Sequence, residues 1–197
     1  MLKATPILWP LLIALMAAAP TRTLADARRF EDVVLAQINF ARQHPADYAR
    51  QLQDLTEDDA MAVAQPEPDA LDEAIDFLDR QRPLRPLKAD PRLAAAARDH
   101  VSAQGRSGAV GHGGFGDRVR AHLAGAGLAG ENIDYGRHSP AQVVRRLIID
   151  AGVPNRGHRS NIFGAGFELS GVSCGPHAVY GAMCVIDFAG ALVARDR

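Results

Sequence analysis

The sequence predicts an α+β fold, because segments with helical periodicity come first and strand-like segments come last. Apolar residues make up 47% of the 197 residues, which is enough for the core of one ordinary domain. Upstream segments repeat apolar residues every three or four positions, which is typical of helices packed on a core. Residues 167–174 and 180–189 are rich in apolar and β-branched side chains and predict two antiparallel strands.

The first 25 residues have the features of a secretory signal sequence. Lys3 gives a positive start, and residues 7–19 form an apolar run that is too short to span a bilayer comfortably. Thr23 and Ala25 are small residues at the positions that a signal peptidase reads, so we expect cleavage before Asp26. The alternative is an uncleaved anchor. With cleavage, the protein is secreted or periplasmic, and its mature part, residues 26–197, is a single domain.

The first half of the mature chain predicts three helical segments and one insert. Asp26 can cap a first helix, which Pro45 interrupts and residues 46–52 resume. Residues of about 54–69 are acidic and include two prolines, so we expect an exposed loop or insert there. Residues 70–80 predict a further helix with one apolar side.

Two start signals predict the helices of the second half. Asp90-Pro91 places a capping carboxylate before a proline at the first helical position, and Ser139-Pro140 begins a later helix in a similar way. Between them lie a glycine-rich loop at residues 105–116 and a short predicted helix at residues 117–123. His100 lies on the apolar side of its helix, which favours a core histidine with a hydrogen-bond partner.

Four titratable residues lie in or beside short glycine-containing segments. His112 is flanked by two glycines, Glu131 follows Gly130, and His158 follows Gly157, with Asp150 a few residues earlier. Glycine leaves a neighbouring imidazole or carboxylate open to a close approach by backbone or ligand. Imidazole nitrogens and carboxylate oxygens are the usual components of a divalent-metal or acid–base site.

These motifs resemble those of the CAP superfamily (cysteine-rich secretory proteins, antigen 5 and pathogenesis-related proteins), in its bacterial SCP-domain type. Residues 130–133 and 157–162 look like the two family signatures, and residues 38–49 and 84–100 resemble the family's first two helices. The resemblance covers roughly residues 30–190. It implies a three-layer α-β-α sandwich around a small antiparallel sheet, with a histidine cleft along one face.

In many CAP domains, two histidines and two acidic residues meet in a central cleft, and the histidines ligate zinc or another divalent cation. His112, Glu131 and His158 match the first histidine, the first glutamate and the second histidine. Asp150 stands near the position of the second glutamate, but it is one methylene shorter, so a bridging water is expected instead of direct contact. Two imidazoles alone predict weak, exchangeable metal binding. The alternative is a hydrogen-bonded polar cluster without metal.

Cys174 and Cys184 are the only two cysteines. An even number of cysteines in an exported chain favours a disulfide. A tight turn at Pro176-His177 would leave the pair out of register, whereas a longer loop centred near Val179 would bring them opposite each other. The resemblance adds a cysteine pair at a similar place and spacing, which implies the bridge.

The charge balance argues against nucleic acid as a partner, because the formal net charge is −1 and phosphate binding needs a basic excess. Arg145, Arg146, Arg156 and Arg159 are close in sequence, and a solvated helix face is the simplest interpretation of them. We expect contact with the membrane only through the signal sequence before cleavage.

The chemistry of the cluster leaves three functional classes open. Ser107 lies near His112 and Ser160 follows His158, so a hydrolase can be drawn, but the sequence has no nucleophile elbow. Both serines are more typical of turn or cap positions. No catalytic residue is therefore assigned beyond the four candidates. We expect a binding role toward an extracellular or envelope protein; the alternatives are a metal-dependent peptidase or esterase and a lipid- or sterol-binding protein.

Overall fold

The computed structural model describes residues 23–191 except residues 66, 124 and 126. Nearly all of the predicted signal sequence lies outside this range, so its cleavage stays a prediction. Within the described residues, no helix is long and apolar enough to cross a membrane.

Helices dominate the described part of the chain, and short strands lie between and after them. The helices are α1 (Leu24–Gln43), α2 (Pro45–Gln53), α3 (Glu57–Ala64), α4 (Ala70–Arg80), α5 (Pro91–Ser107), α6 (Phe115–His122), α7 (Pro140–Ile149) and α8 (Gly157–Ile162), with a 3-10 turn at Pro154–Arg156 before α8. The strands are β1 (Lys88–Ala89), β2 (Ala129–Tyr135), β3 (Leu169–Gly175) and β4 (Met183–Ala189).

The strands form one sheet in the order β1-β3-β4-β2. Strand β4 pairs antiparallel with both β2 and β3, which confirms the predicted antiparallel arrangement for the three long strands. The two-residue strand β1 pairs parallel to β3, so the sheet is mixed instead of wholly antiparallel. Strand β2 lies at an edge of the sheet, and this position is central to the site described below.

Helices cover both faces of the sheet, which confirms the α+β fold. On one face, α1, α2, α4 and α7 pack in a single core with Val172, Ile186 and Phe188 of the strands. On the other face, α5 packs on Ile133 and Val185. Gly171 allows α5 to approach closely, because a Cβ at this position would lie 2.0 Å from the backbone nitrogen of Ala94. The result is the three-layer arrangement that the resemblance implies.

The predicted helix starts agree with the structure at two helices and differ at a third. The Asp90 carboxylate accepts hydrogen bonds from Arg92 N and Leu93 N at the start of α5. Ser139 forms a capping box with Gln142 at the start of α7. The prediction that Asp26 caps α1 is wrong, because Thr23 is the cap and Asp26 completes its capping box from inside the helix.

The acidic segment is not simply the exposed loop that was expected. Thr56 accepts a hydrogen bond from Asp59 N at 3.2 Å and starts helix α3. Three acidic residues fill the first turn of α3, where negative charge interacts favourably with the helix dipole. Val63 and Ala64 at its other end are buried. The prediction of a loop underweighted this cap and this short apolar end.

Cys174 and Cys184 form a disulfide, as predicted. They lie directly opposite each other on β3 and β4, so the intervening loop is centred near Val179 and not at Pro176-His177. The Cys174 N–H donates to the Glu31 carboxylate of α1 at 2.9 Å. The bridge therefore holds the strand pair closed where helix α1 crosses it.

Replacing both cysteines with alanine is expected to lower the free energy of unfolding by about 2–3 kcal/mol, because the unfolded chain regains the entropy of an open ten-residue loop. Urea denaturation of the variant and of the wild type measures the difference. Reduction of the wild type should reproduce it, and equal stability of the oxidised and reduced proteins would contradict it.

Candidate functional site

The two predicted histidines meet beside the edge strand β2. His112 lies in the loop between α5 and α6, and His158 is the second residue of α8. Their ring centroids are 6.5 Å apart, although the residues come from helical layers on opposite faces of the sheet. Glu131 on β2 and Asp150 at the end of α7 complete the group. The structure thus brings together all four of the predicted residues.

Glu131 fixes the His112 ring through a hydrogen bond. The Nδ1 atom of His112 lies 2.8 Å from Glu131 Oε1, and Arg118 NH2 of α6 donates to Glu131 Oε2 at 2.5 Å. The Glu131 side chain is almost fully buried, whereas that of His112 is 51% exposed. Burial alone would raise the pKa of Glu131, but the hydrogen bonds from His112 and Arg118 lower it below its usual value. Glu131 is therefore an ionised, buried acceptor.

The backbone beside His112 is fixed by a separate polar group. His100 Nε2 and Gln104 Nε2 lie 2.9 and 2.7 Å from the Gly111 carbonyl. The Gly111 N–H donates to the Tyr135 hydroxyl, which in turn donates to Gln104 Oε1, both at 2.9 Å. His100 is thus the buried, hydrogen-bonded histidine that its place in the helix predicted, and burial lowers its pKa. These contacts position the His112 backbone but leave its ring open to solvent.

Asp150 holds the His158 ring directly. His158 Nδ1 lies 2.6 Å from Asp150 Oδ1, and Asp150 Oδ2 accepts from the backbone N–H groups of His158 at 2.8 Å and Arg159 at 3.2 Å. The expectation of a bridging water is therefore wrong. Asp150 has φ 60°, and this left-handed conformation ends α7 and aims the short carboxylate at the start of α8. The geometry of the backbone compensates for the missing methylene.

The segment between α7 and α8 contains three non-glycine residues with positive φ: Asp150, Asn155 and Arg156. Such conformations are unfavourable for residues with a Cβ and persist only where neighbouring contacts hold them. Arg156 donates to Glu67 and Glu73, and the Gly152 N–H also donates to Glu67. These arginine hydrogen bonds, followed by the Gly152 amide, hold the pKa of Glu67 at about 2. Through Glu67, the acidic segment therefore stabilises the strained turn that positions His158.

These contacts correct the interpretation of a solvated face for three of the four arginines, Arg146, Arg156 and Arg159. Arg159 is buried and donates to the carbonyls of Ile148 and Ile149. Arg156 is occupied by two carboxylates, and Arg146 donates to Asp134 at 3.2 Å. Since the charges of these arginines are neutralised inside the fold, they do not form a basic surface.

Asp187 is a member of the site that the sequence analysis missed. It is fully buried on β4 directly opposite Glu131, and neither of its carboxyl oxygens has a hydrogen-bond partner among the described residues. Burial, and then the charge of Glu131, raise the pKa of Asp187 to about 8. Asp187 is therefore protonated at neutral pH. A lone acid within an otherwise apolar strand was the available signal in the sequence.

The candidate serines are engaged with the backbone. Ser107 Oγ donates to the carbonyls of Ala103 and Gln104 at the end of α5. Ser160 Oγ lies 3.5 Å from the Asn155 carbonyl. Both serines occupy helix-end or turn positions, in agreement with the simpler interpretation of the sequence.

Two imidazole nitrogens are suitable ligands for a divalent cation, but the two rings are farther apart than one shared ion requires. Each ring has Nδ1 tied to a carboxylate, which leaves Nε2 as the available donor and follows the usual orientation of metal-binding histidines. A tetrahedral ion bound through both Nε2 atoms would hold the centroids about 5 Å apart, and the observed separation is 6.5 Å. Among the described residues, no group of three or more His, Cys, Asp or Glu side chains is arranged to hold a metal. The geometry fits two ligands completed by water.

Comparison with known proteins agrees with this architecture. The sequence profile of the cysteine-rich secretory protein family (CAP) matches residues 35–188. No curated protein sequence matches the chain.

Three solved structures that resemble the chain come from bacteria. An extracellular protein containing an SCP domain from Bacillus anthracis is 19% identical, with a TM-score of 0.51 over 88% of this chain and 45% of that one. A cysteine-rich secretory protein from Staphylococcus aureus is 11% identical, with a TM-score of 0.45 over 70% of this chain and 40% of that one. An outer surface protein from Borrelia burgdorferi is 17% identical, with a TM-score of 0.47 over 69% of this chain and 95% of that one. The chain spans less than half the length of the first two, and these identities speak to the fold alone.

Replacement of Asp187 with asparagine is expected to remove a pH dependence of stability. The unfolded chain releases the Asp187 proton near pH 4 and the folded protein near pH 8, so this group makes stability fall as pH rises between these values. The fall is at most about 1.4 kcal/mol per pH unit. The stability of Asp187→Asn relative to the wild type should therefore increase from pH 4 to 8 and then level off, as measured by urea denaturation.

The exposed Asp76 of α4 provides the matched control for this substitution. Asp76→Asn should show no such trend relative to the wild type. A difference between Asp187→Asn and the wild type that is constant with pH would contradict a protonated Asp187.

Two replacements at Asp150 are expected to separate its hydrogen bonds from its strained backbone. Asp150→Gly loses the three bonds that the carboxylate accepts and should lower the free energy of unfolding by about 2–3 kcal/mol. Asp150→Ala should cost about 1 kcal/mol more, because alanine pays a steric penalty at φ 60° that glycine avoids. Chemical denaturation measures both values. Equal losses in the two variants would show that the left-handed conformation carries no strain.

Proposed function

Because the chain belongs to the cysteine-rich secretory protein (CAP) family, we propose that it is an exported protein that binds a divalent cation, zinc or a similar ion, between His112 and His158. Its role is binding, in the cell envelope or outside the cell. The observation that carries the proposal is the pairing of each imidazole Nδ1 with a buried carboxylate. This pairing leaves the Nε2 atoms of two neighbouring rings without a hydrogen-bond partner among the described residues, on side chains that are 51% and 21% exposed.

The carboxylates act on the imidazoles and not on the ion itself. Glu131 and Asp150 accept the Nδ1–H protons, which selects the tautomer with a free Nε2 lone pair and increases its basicity. A bound ion would supply a Lewis-acidic centre with open positions for water or an incoming ligand. Two protein ligands make the binding weak, and protons compete for the same nitrogens, so affinity falls on acidification.

Hydrolysis through a serine or cysteine nucleophile is disfavoured by the contacts of these side chains. Ser107 and Ser160 donate to main-chain carbonyls, so neither hydroxyl is activated by a cleft histidine. Cys174 and Cys184 are joined to each other and are not available as thiolates.

Three observations support export. The predicted signal sequence precedes the domain, and the disulfide suits an oxidising compartment. The Bacillus anthracis protein that shares the fold is described as extracellular. We therefore expect the ligands of the cleft in the periplasm or in the medium.

Zinc titration followed by isothermal calorimetry tests the metal site. The wild type is expected to bind one zinc ion with a dissociation constant in the micromolar-to-millimolar range, and His112→Ala and His158→Ala should each weaken binding by about tenfold or more. His122→Ala is the matched control, because His122 also forms a histidine–aspartate pair, with Asp99, on the neighbouring helices. If all three variants bind zinc as the wild type does, the proposed site is wrong.

A further inference from the structure

The outer edge of strand β2 is the strongest feature that the metal site leaves unexplained. The Gly190 N–H donates to the Leu128 carbonyl, and the Gly136 N–H donates to the Ala182 carbonyl, both at 2.9 Å. Together with the register of β2 and β4, these bonds show that the even-numbered residues of β2 exchange hydrogen bonds with β4. The N–H and C=O groups of the odd-numbered residues therefore point away from the sheet.

Two of these outward residues, Ile133 (6% exposed) and Tyr135, have no main-chain partner among the described residues. The Glu131 carbonyl accepts from Asn161 Nδ2 at 3.2 Å, which closes the edge at one end. The strand ends at Tyr135, and Gly136 turns away with φ 129°. Between these limits, the main-chain N–H and C=O groups of Ile133 and Tyr135 have no recorded partner in the described part of the chain. Unpaired main-chain groups at an edge are a template for another strand.

A cavity of about 280 Å³ lies along the same stretch of edge. Leu147 and Val153 contribute apolar walls, and the exposed ring of Tyr180 flanks the opening. The side chain of Asp134, which lies between the two outward residues, is on this side of the sheet and contacts Arg146 of α7. In an added strand, the residue opposite Asp134 would direct its side chain to the same face, and so into the cavity.

The charged groups around the cavity already have hydrogen-bond partners. Asp134 is paired with Arg146 at 3.2 Å and with His138 at 2.7 Å. The Asp150 carboxylate contacts His158 Nδ1 through one oxygen and accepts from the N–H groups of His158 and Arg159 through the other. A ligand side chain that enters the cavity therefore meets no carboxylate or guanidinium without a partner among these residues, and an uncharged side chain fits best.

We propose that the edge of β2 at residues 133–135 binds an extended peptide segment of a partner protein by strand addition, with one uncharged side chain in the adjoining cavity. Ile133 and Tyr135 each supply one donor and one acceptor, so four main-chain hydrogen bonds fix the peptide. His158 lines part of the same cavity, but the peptide would be held by main-chain groups of β2 and not by imidazole nitrogens. The inference therefore does not require a bound metal ion.

A second copy of the chain fits this edge less well than a single peptide strand. An added strand needs only about 5 Å beside β2. The β2 edge of another copy would bring its own Val153 and Tyr180, which line the same cavity, against those of the first copy. The proposed occupant is therefore a free or flexible segment of another protein.

Amide hydrogen exchange of the isotope-labelled protein, read by nuclear magnetic resonance, tests the proposal residue by residue. In the free protein, the Ile133 and Tyr135 amides should exchange fast, whereas the Asn132 and Asp134 amides, which face β4, should be protected. The probe is acetyl-Val-Leu-Val-amide, whose leucine would enter the cavity. At about four times its dissociation constant, it should slow exchange at Ile133 and Tyr135 by about fivefold and leave the inward amides unchanged.

Methylated peptides separate strand addition from nonspecific apolar binding. Methylation of both valine nitrogens removes the donors that face β2 and should abolish the protection. Methylation of the leucine nitrogen alone, which points away from β2, should leave it intact. Replacement of the leucine by glutamate or lysine should weaken binding, because the cavity offers no free opposite charge.

Val153→Trp in the protein fills the cavity and should also remove protection by the peptide, whereas Val33→Trp, on the exposed side of α1, should not. Four results would overturn the proposal. These are slow exchange of Ile133 and Tyr135 in the free protein, equal protection by the valine-methylated peptide, no protection by any of the peptides at millimolar concentration, and protection that rises with protein concentration alone. The last result would indicate a second copy of the chain as the occupant.

Discussion

Among the described residues, β2 is the last strand of the sheet, so β4 is its single neighbouring strand. Segments that cover the two faces of the sheet can therefore reach past it and meet. His112 arrives from the α5–α6 side and His158 from the α7–α8 side, so that the two rings face each other across an edge. Had β2 been a central strand, another strand would separate these two histidines. The site thus depends first on strand order and only second on the identity of its side chains.

Glu131 and Asp187 are carboxyl groups that are costly to bury. The structure compensates for this cost with hydrogen bonds at Glu131 but not at Asp187. Glu131 has two charged or polar donors and stays ionised. Asp187 lies opposite it across a close strand pair, where two like charges shielded from water would repel each other, and it is held neutral instead. Among the described residues, its carboxyl group has no hydrogen-bond partner, so packing alone does not explain an acid at this position.

The sequence identified the parts of the structure that are specified locally. The start of α5 at Asp90-Pro91 and the start of α7 at Ser139-Pro140 follow from side chains within one helical turn. His112, Glu131 and His158 were found because glycine-containing motifs mark them, and Asp150 because the family resemblance places an acid shortly before the last motif. The parts that were missed depend on contacts between distant segments. The role of Asp187 depends on Glu131, which lies opposite it on another strand. The acidic segment is held in part by Arg156, which is 89 residues away from Glu67. No periodicity or spacing reveals such pairings.

The two histidines are held with unequal rigidity, and this difference determines where the site can adapt. The His158 ring is 21% exposed, and its backbone and ring are both bonded to Asp150, behind which Arg156 and the acidic segment fix the turn. The His112 ring is about half exposed and extends from a loop in which Gly111 has φ 94°. A ligand that requires the rings to approach each other would therefore move His112 toward a fixed His158. The peptide edge of β2 lies on the rigid side of the cleft, so a bound strand would find its hydrogen-bonding groups already in place.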